Sequence, residues 1–257
     1  MSEFIKTNVD NGVLEIILSR PERKNAITAE MYEALAAAFE GAERDPAIGV
    51  IVILGGDSVF TAGNDLVDFQ TNPPTGSDSP PFVFMRAMVR STKVVVAGVI
   101  GSAVGIGTTL LLHCDLVVAG SSASFVVPFV NLGLVPEFAS SRLLPAMLGR
   151  QRAARHFLLG DPFDADTALA CGMVSQVVDD EQVNALARTY ARRLMEKPPH
   201  ALARTRAMII PDTQEIEAII GHEGAIFAEA LNGSEFAEAA TAFFEKRAPR
   251  FIRPAKG

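Results

Sequence analysis

From Val94 to Cys114 the chain runs 21 residues without one Asp, Glu, Lys or Arg. A helix of that length can cross a membrane. The run is broken, however, by Gly98, Gly101, Gly105 and Gly107, and Ser102, Thr108 and Thr109 add hydroxyls. Glycines so placed read as turns, so the segment divides into a buried strand followed by a buried helix. The reading is a core segment and not a membrane span.

The same strand pattern recurs. Val50–Leu54 is a continuous β-branched run of the kind buried on both faces of a parallel sheet. Val94–Val99 and Leu116–Ala119 repeat it, and Val13–Leu18 is bounded by Asn11-Gly12 and Arg20-Pro21. Thr28 is a suitable N-cap for a helix to about Arg44, with Met31, Leu35 and Phe39 at helical spacing. Strands that alternate with helices predict crossover units around a mostly parallel sheet, an α/β fold. Gln70–Pro81 holds four prolines and no aliphatic residue, which predicts a mobile loop, either a plain linker or a flap over a pocket. Beyond Leu143 the chain turns mostly helical, with helices expected over Gln182–Glu196, Gln214–Leu231 and Ser234–Arg247. Phe227, Phe236, Phe243 and Phe244 in this tail suggest packing on the main body or on another subunit.

Composition removes several classes of function. With 49% hydrophobic and 21% charged residues, a disordered chain is excluded. A net charge of -7 disfavours a nucleic-acid partner. Two cysteines, Cys114 and Cys171, allow neither a disulfide framework nor a four-thiolate metal site. The N-terminal MSEFIKTNVDNG lacks the apolar core of a signal peptide, so a cytoplasmic protein is expected. The four histidines have no metal-ligand spacing; His113 reads as a satisfied core residue, and His222 with Glu223 as a solvated helix face.

Two glycine turns attract chemistry. Gly101–Gly107 follows a strand and opens a helix, but it lacks the Lys-Ser/Thr of a phosphate loop and the spacing of a dinucleotide site. Thr61–Leu66 is a second turn just past a strand. Two such turns can aim two backbone N–H groups at one oxygen, as an oxyanion hole requires. Glu137 stands in an apolar, small-residue stretch, Leu134–Ser141. It reads either as a general base of raised pKa or as an N-cap or first-turn carboxylate beside Pro136, stabilised by a helix dipole. Arg23 and Lys24 form a basic spot that is either a solvated turn or a phosphate contact.

Together these segments resemble the crotonase superfamily of enoyl-CoA hydratases and isomerases, over nearly the whole chain. Ser19–Ala26 resembles the family's first CoA-contacting turn, and Phe60–Leu66 its first oxyanion motif. Val99–Gly107, with Cys114-Asp115 following, resembles the second, and Phe236–Pro249 the C-terminal helix. The resemblance implies a spiral of repeated strand–strand–helix units over 1–195 and a helical trimerisation region over 196–257. It also implies homotrimers or hexamers and an acyl-CoA thioester substrate, with coenzyme A part of that substrate and no separate cofactor, metal, nucleic acid or membrane. The thioester oxygen would meet the N–H groups of Asn64 and Ile106. Arg23, Lys24, Ala26, Ala62, Gly63, Asp65, Leu66, Gly105 and Phe129 would line the CoA and acyl site, and Phe244 and Lys246 would reach the CoA of a neighbouring subunit.

The departures point to one branch. A hydratase of this family resembles a two-glutamate machine, and the two positions hold Thr109 and Phe129 here. Glu137 falls where the peroxisomal-type 3,2-enoyl-CoA isomerases carry their catalytic glutamate. Pro128–Gly133 and Pro136–Ser141 resemble that branch, although Phe138 replaces a residue that is often glycine there. The implied activity is a 3-enoyl to 2-enoyl-CoA isomerase of fatty acid oxidation. The alternatives are a hydratase with a nonstandard base, an acyl-CoA thioesterase, and a noncatalytic CoA-binding protein.

Overall fold

The computed structural model describes residues 2–251, apart from Asp57 and Thr75. The last six residues of the expected 196–257 region lie outside these. The strands are β1 (Ile5–Asp10), β2 (Val13–Leu18), β3 (Val50–Leu54), β4 (Val94–Val99), β5 (Ser102–Val104), β6 (Leu116–Gly120), β7 (Ser124–Val126), β8 (Phe163–Asp164) and β9 (Gln176–Val178). The helices of the first half are α1 (Ala29–Arg44), α2 (Leu66–Thr71), α3 (Pro80–Arg90) and α4 (Ile106–Thr109). Those of the second half are α5 (Ser140–Leu148), α6 (Arg150–Leu159), α7 (Ala165–Ala170), α8 (Asp180–Met195), α9 (Pro199–Ile209), α10 (Thr213–Leu231) and α11 (Ser234–Phe244).

The main sheet has the order β1-β2-β3-β4-β6-β9, antiparallel only at the β1–β2 hairpin. A small second sheet, β5-β7-β8, stands beside it. Parallel bridges Ile27–Asn64 and Thr61–Ala103 extend the same arrangement to the earlier units. Each turn of the spiral thus sends a long strand into one sheet and a short one toward the other, then a helix. This is the strand–strand–helix repeat that the resemblance implies.

The β-branched runs are explained by burial on both sheet faces. Val50, Val52, Val94, Val96 and Val118 face α8, where Val183, Ala187 and Ala191 form a narrow small-residue stripe. Ile51, Ile53, Val95, Ala97 and Val117 face the opposite way, into the larger core with Met31, Leu35 and Phe39 of α1. At about 1.5–3 kcal/mol for each large apolar side chain buried, this two-sided packing dominates the drive to fold. The Thr28 side chain accepts a hydrogen bond from Met31 N–H, as its N-cap role requires.

Several expectations are corrected. Gln70 and Thr71 belong to α2, and Pro80 and Pro81 open α3, where proline's missing N–H removes nothing from the helix. The irregular segment is therefore shorter than Gln70–Pro81. The segment Gly101–Gly107 contains β5, so strand does not pass directly into helix. The final helix stops at Phe244, because Lys246 adopts φ 53° and Arg247 turns back to pair with Glu238. In the tail, α10 packs on the main body: the Phe227 ring lies edge-on to Phe69, 6.4 Å between centroids. Among the described residues no helix is long and apolar enough to cross a membrane.

Candidate active site

The two glycine turns meet. Thr61 N–H donates to Ser102 O (3.0 Å), and Val104 N–H donates to Thr61 O (3.1 Å). A Cβ on Gly63, which has φ +84°, would stand 2.6 Å from Val104 O. A Cβ on Gly107 would stand 2.4 Å from Thr61 Cγ2. Gly63 is therefore required by the close approach of the Val104 backbone, and Gly107 by that of the Thr61 side chain. Asn64 and Ile106 flank this junction. Ile106 opens α4, so its N–H has no intrahelical acceptor. The Asn64 N–H donates to no protein acceptor among the described residues. Gly105 N–H is tied to Val126 O (2.8 Å), which anchors the turn. The helix that begins here is a single turn of four residues, so what it offers is free N–H groups and not a long helix dipole.

Tyr32, which sequence reasoning passed over, reaches this junction from α1. Its buried hydroxyl donates to Asn64 Oδ1. Burial, then the negative charges of Glu137 and Asp68, hold the phenol well above its ordinary pKa, so it remains a donor. Tyr32→Phe leaves the Asn64 carbonyl without that partner, and a loss of about 1 kcal/mol is expected by urea unfolding.

Glu137 precedes α5, whose N-cap is Ala139, so neither the N-cap nor the first-turn reading is what the chain adopts. The residue is buried, and its Oε1 has no hydrogen-bond partner among the described residues. Burial, reinforced by the charge of Glu223, lifts its pKa from 4.5 to about 8. The next two residues, Phe138 and Ala139, have φ of 59° and 56°, a left-handed turn that costs about 1–3 kcal/mol at each non-glycine residue. Three contacts hold it. The Phe138 ring stacks on His113 with centroids 4.0 Å apart and meets Phe84 edge-on. His113 Nε2 donates to Phe138 O (2.8 Å); burial pushes this imidazole down to about 4, so it serves as a neutral core donor. The third contact is Glu223 of α10, whose carboxylate accepts Ala139 N–H (2.6 Å) and Ser141 N–H (3.0 Å). Glu223 is buried, which corrects the reading of a solvated face; only His222 is exposed.

The other candidate residues divide into two groups. Ala62 N–H donates to Lys24 O (2.9 Å), and Arg20 Nη1 donates to Ala26 O (2.9 Å), so the Arg23–Ala26 turn lies against Ala62–Leu66. Asp65 caps α2 through Val67 and Asp68 N–H and binds Arg20 at 2.7 Å. Burial works to raise the Asp65 pKa, but the Arg20 hydrogen bond and the capping amides hold it below its ordinary value. Its carboxylate is thus occupied within the protein. Half-exposed Arg23 stands 4.0 Å from the same carboxylate. Leu66 opens α2 and packs partly against the core. Phe129 is buried, its ring stacked against Phe157 with 29° between the planes. Phe244 and Lys246, by contrast, lie at the end of α11. Among the described residues neither bonds to the Asn64 cluster, and Phe244 packs edge-on to Phe243. A cavity of about 680 Å³ opens beside Tyr32 and Phe69, walled by Pro73, Pro74, Pro80 and Pro81. No group of His, Cys, Asp and Glu suited to a metal occurs among the described residues.

A spiral of this kind, with two joined glycine turns and a buried carboxyl whose charge reaches the tyrosine bonded to one of them, is the architecture of a crotonase-fold enzyme. The family model described as enoyl-CoA hydratase/isomerase matches residues 8–254, and the chain belongs to that family. It is 35% identical to the 1,2-epoxyphenylacetyl-CoA isomerase of Escherichia coli K12, across 98% of this chain and 99% of that protein. It is 31% identical to human enoyl-CoA delta isomerase 2 over 80% of this chain, and spans about half (54%) of that longer protein. The crystal structure of an enoyl-CoA hydratase/isomerase from Pseudoalteromonas atlantica T6c superposes with a TM-score of 0.92 at 38% identity, covering 97% of this chain and 100% of that one.

Proposed function

We propose that the protein is an isomerase that moves the double bond of a 3-enoyl-CoA to the 2-position. The thioester oxygen accepts the N–H groups of Asn64 and Ile106. Glu137 takes a proton from C2, and the electron pair spreads through the dienolate onto that oxygen. The protonated Glu137 then gives its proton to C4, leaving the double bond between C2 and C3, conjugated with the carbonyl. Each oxyanion donor lowers the barrier by about 3 kcal/mol. A proton shift exchanges no electrons with an outside partner, so the CoA carried by the substrate suffices.

The observation that carries this reading is the state of Glu137, a buried carboxyl of raised pKa with an unpartnered oxygen. The hydratase positions point the same way. Thr109 is buried, and Phe129 lies against Phe157. Glu223 does not replace a missing glutamate, because both its oxygens accept backbone N–H groups. In the assembly that the resemblance implies, the exposed Phe243 and Phe244 meet a second subunit, and Phe244 and Lys246 lie against its CoA.

The test supplies purified protein with 3-hexenoyl-CoA and with crotonyl-CoA. Conversion of the first without hydration of the second is the expected result; comparable hydration would reverse the assignment. A second reading, isomerisation of an aromatic acyl-CoA epoxide, is favoured by the full-length Escherichia coli relative, and 1,2-epoxyphenylacetyl-CoA serves as a third substrate in the same assay.

The base must be ionised to act. With a pKa of about 8, roughly a tenth of the free enzyme carries it ionised at pH 7. kcat/KM is therefore expected to rise with pH and reach half its plateau near 8. A profile flat from pH 6 to 9 would remove Glu137 from the role.

A further inference from the structure

We propose that Glu223 is a positioning residue for Glu137: from α10 it clamps the turn that follows Glu137 and places a like charge behind that carboxyl. The inference rests on Glu137 being the base. Its grounds are geometric. Glu223 sits on the apolar stripe of α10, with Ile216, Ile220, Phe227 and Leu231. A carboxylate is costly there unless it is hydrogen-bonded, and it is bonded by the N–H groups of the second and fourth residues after Glu137. Those bonds hold two consecutive left-handed residues that no glycine eases. A turn so fixed lets the Glu137 carboxyl remain buried with one oxygen unpaired, because the backbone beneath it cannot relax toward a partner.

The like charge adds a second consequence. The titratable groups around Glu137 come from several elements: Glu223 of α10 acts on it directly, Tyr32 of α1 feels its charge and that of Asp68 of α2, and His113 bonds the next residue, Phe138. Tyr32 and His113 are neutral, so the charge acting directly on Glu137 is that of Glu223. Burial raises the pKa of Glu223 itself, against the hydrogen bonds from Ser141 and Ala139 and the charge of neighbouring His222, which work to lower it.

The experiment compares wild type with Glu223→Gln and Glu223→Asp in protein labelled with ¹³C-glutamate. The Glu137 carboxyl signal is identified by its loss in Glu137→Gln and is titrated by NMR, and kcat/KM for 3-hexenoyl-CoA is measured against pH. Glu223→Gln removes the charge, so the Glu137 titration and the acid limb of the profile should both fall by about one pH unit. Glu223→Asp keeps the charge but falls short of the turn. Its Glu137 titration should stay within about 0.3 unit while kcat drops about tenfold. Glu137 titrating at the wild-type pH in Glu223→Gln would overturn the proposal and leave Glu223 a plain structural cap. If Glu223→Gln does not fold, Glu223→Asp decides: unchanged kcat overturns the proposal, and a tenfold loss at an unmoved titration supports it. A wild type that turns over no 3-enoyl-CoA counts against the isomerase reading, whereas the NMR titration still decides the role of Glu223.

Discussion

Glu137→Gln is expected to lower the proposed turnover of 3-hexenoyl-CoA by about 10³-fold while the protein stays folded. The size follows from the removal of a general base, worth about 10²–10⁴ in rate. The amide has the carboxyl's shape but cannot take the C2 proton. The protein should tolerate the change, because Glu137 is mostly protonated at neutral pH and its buried Oε1 makes no hydrogen bond to lose. Stability carries a separate sign. The folded-state pKa is raised, so the neutral form is the one that folding favours. Its contribution is whole below about pH 4.5 and is lost as pH climbs through about 8. Against wild type, Glu137→Gln should therefore gain relative stability from pH 5 to pH 9, read as urea midpoints. A rate within threefold of wild type would show that another group takes the proton.

Gly63→Ala should lower kcat about 100-fold and cost about 2 kcal/mol or more of stability. The proposed oxyanion donors are backbone groups, so no side-chain deletion removes them; they must be displaced. A methyl at Gly63 meets the backbone oxygen of Val104 at 2.6 Å, and φ +84° strains any residue that has a Cβ. The Asn64 N–H, one residue on, must then move, and a lost oxyanion donor is worth about 10²–10³ in rate. Gly41→Ala is the matching control. It lies within α1 with nothing inside 4 Å of its added methyl, and should be neutral or stabilising by up to about 1 kcal/mol. Thermal unfolding and steady-state kinetics on both variants check the pair. Gly63→Ala with wild-type kcat would separate the turn from the chemistry.

The central strands were legible because both sheet faces are buried, which makes Val50–Leu54 and Val94–Val99 continuous apolar runs. β1 was not, because only Ile5 of its six residues is buried and the rest are exposed at the sheet edge. The prolines that open α3 read as loop for a physical reason: proline suits the first helical turn and a loop alike. The turns at Gly63 and Gly107 could be proposed as a pair from sequence, but their meeting depends on the Thr61–Ala103 bridge, a contact across the spiral. Glu223 left a signal in the spacing Ile216, Ile220, Glu223, Phe227, which puts a carboxylate on a buried stripe. Its partner amides lie 84 and 82 residues earlier in the chain, so what it does there could not be read locally. Tyr32 was concealed by similar means: on the buried face of α1 it looks like one more core aromatic until Asn64 is placed against its hydroxyl.

The transfer of one proton by one carboxyl is tested most directly with 3-hexenoyl-CoA deuterated at C2. A single buried base that carries the proton from C2 to C4 predicts 2-hexenoyl-CoA with deuterium at C4, read by mass spectrometry and NMR, and loss of that product in Glu137→Gln. Product whose C4 carries only solvent hydrogen, formed at an undiminished rate in the variant, would contradict the account.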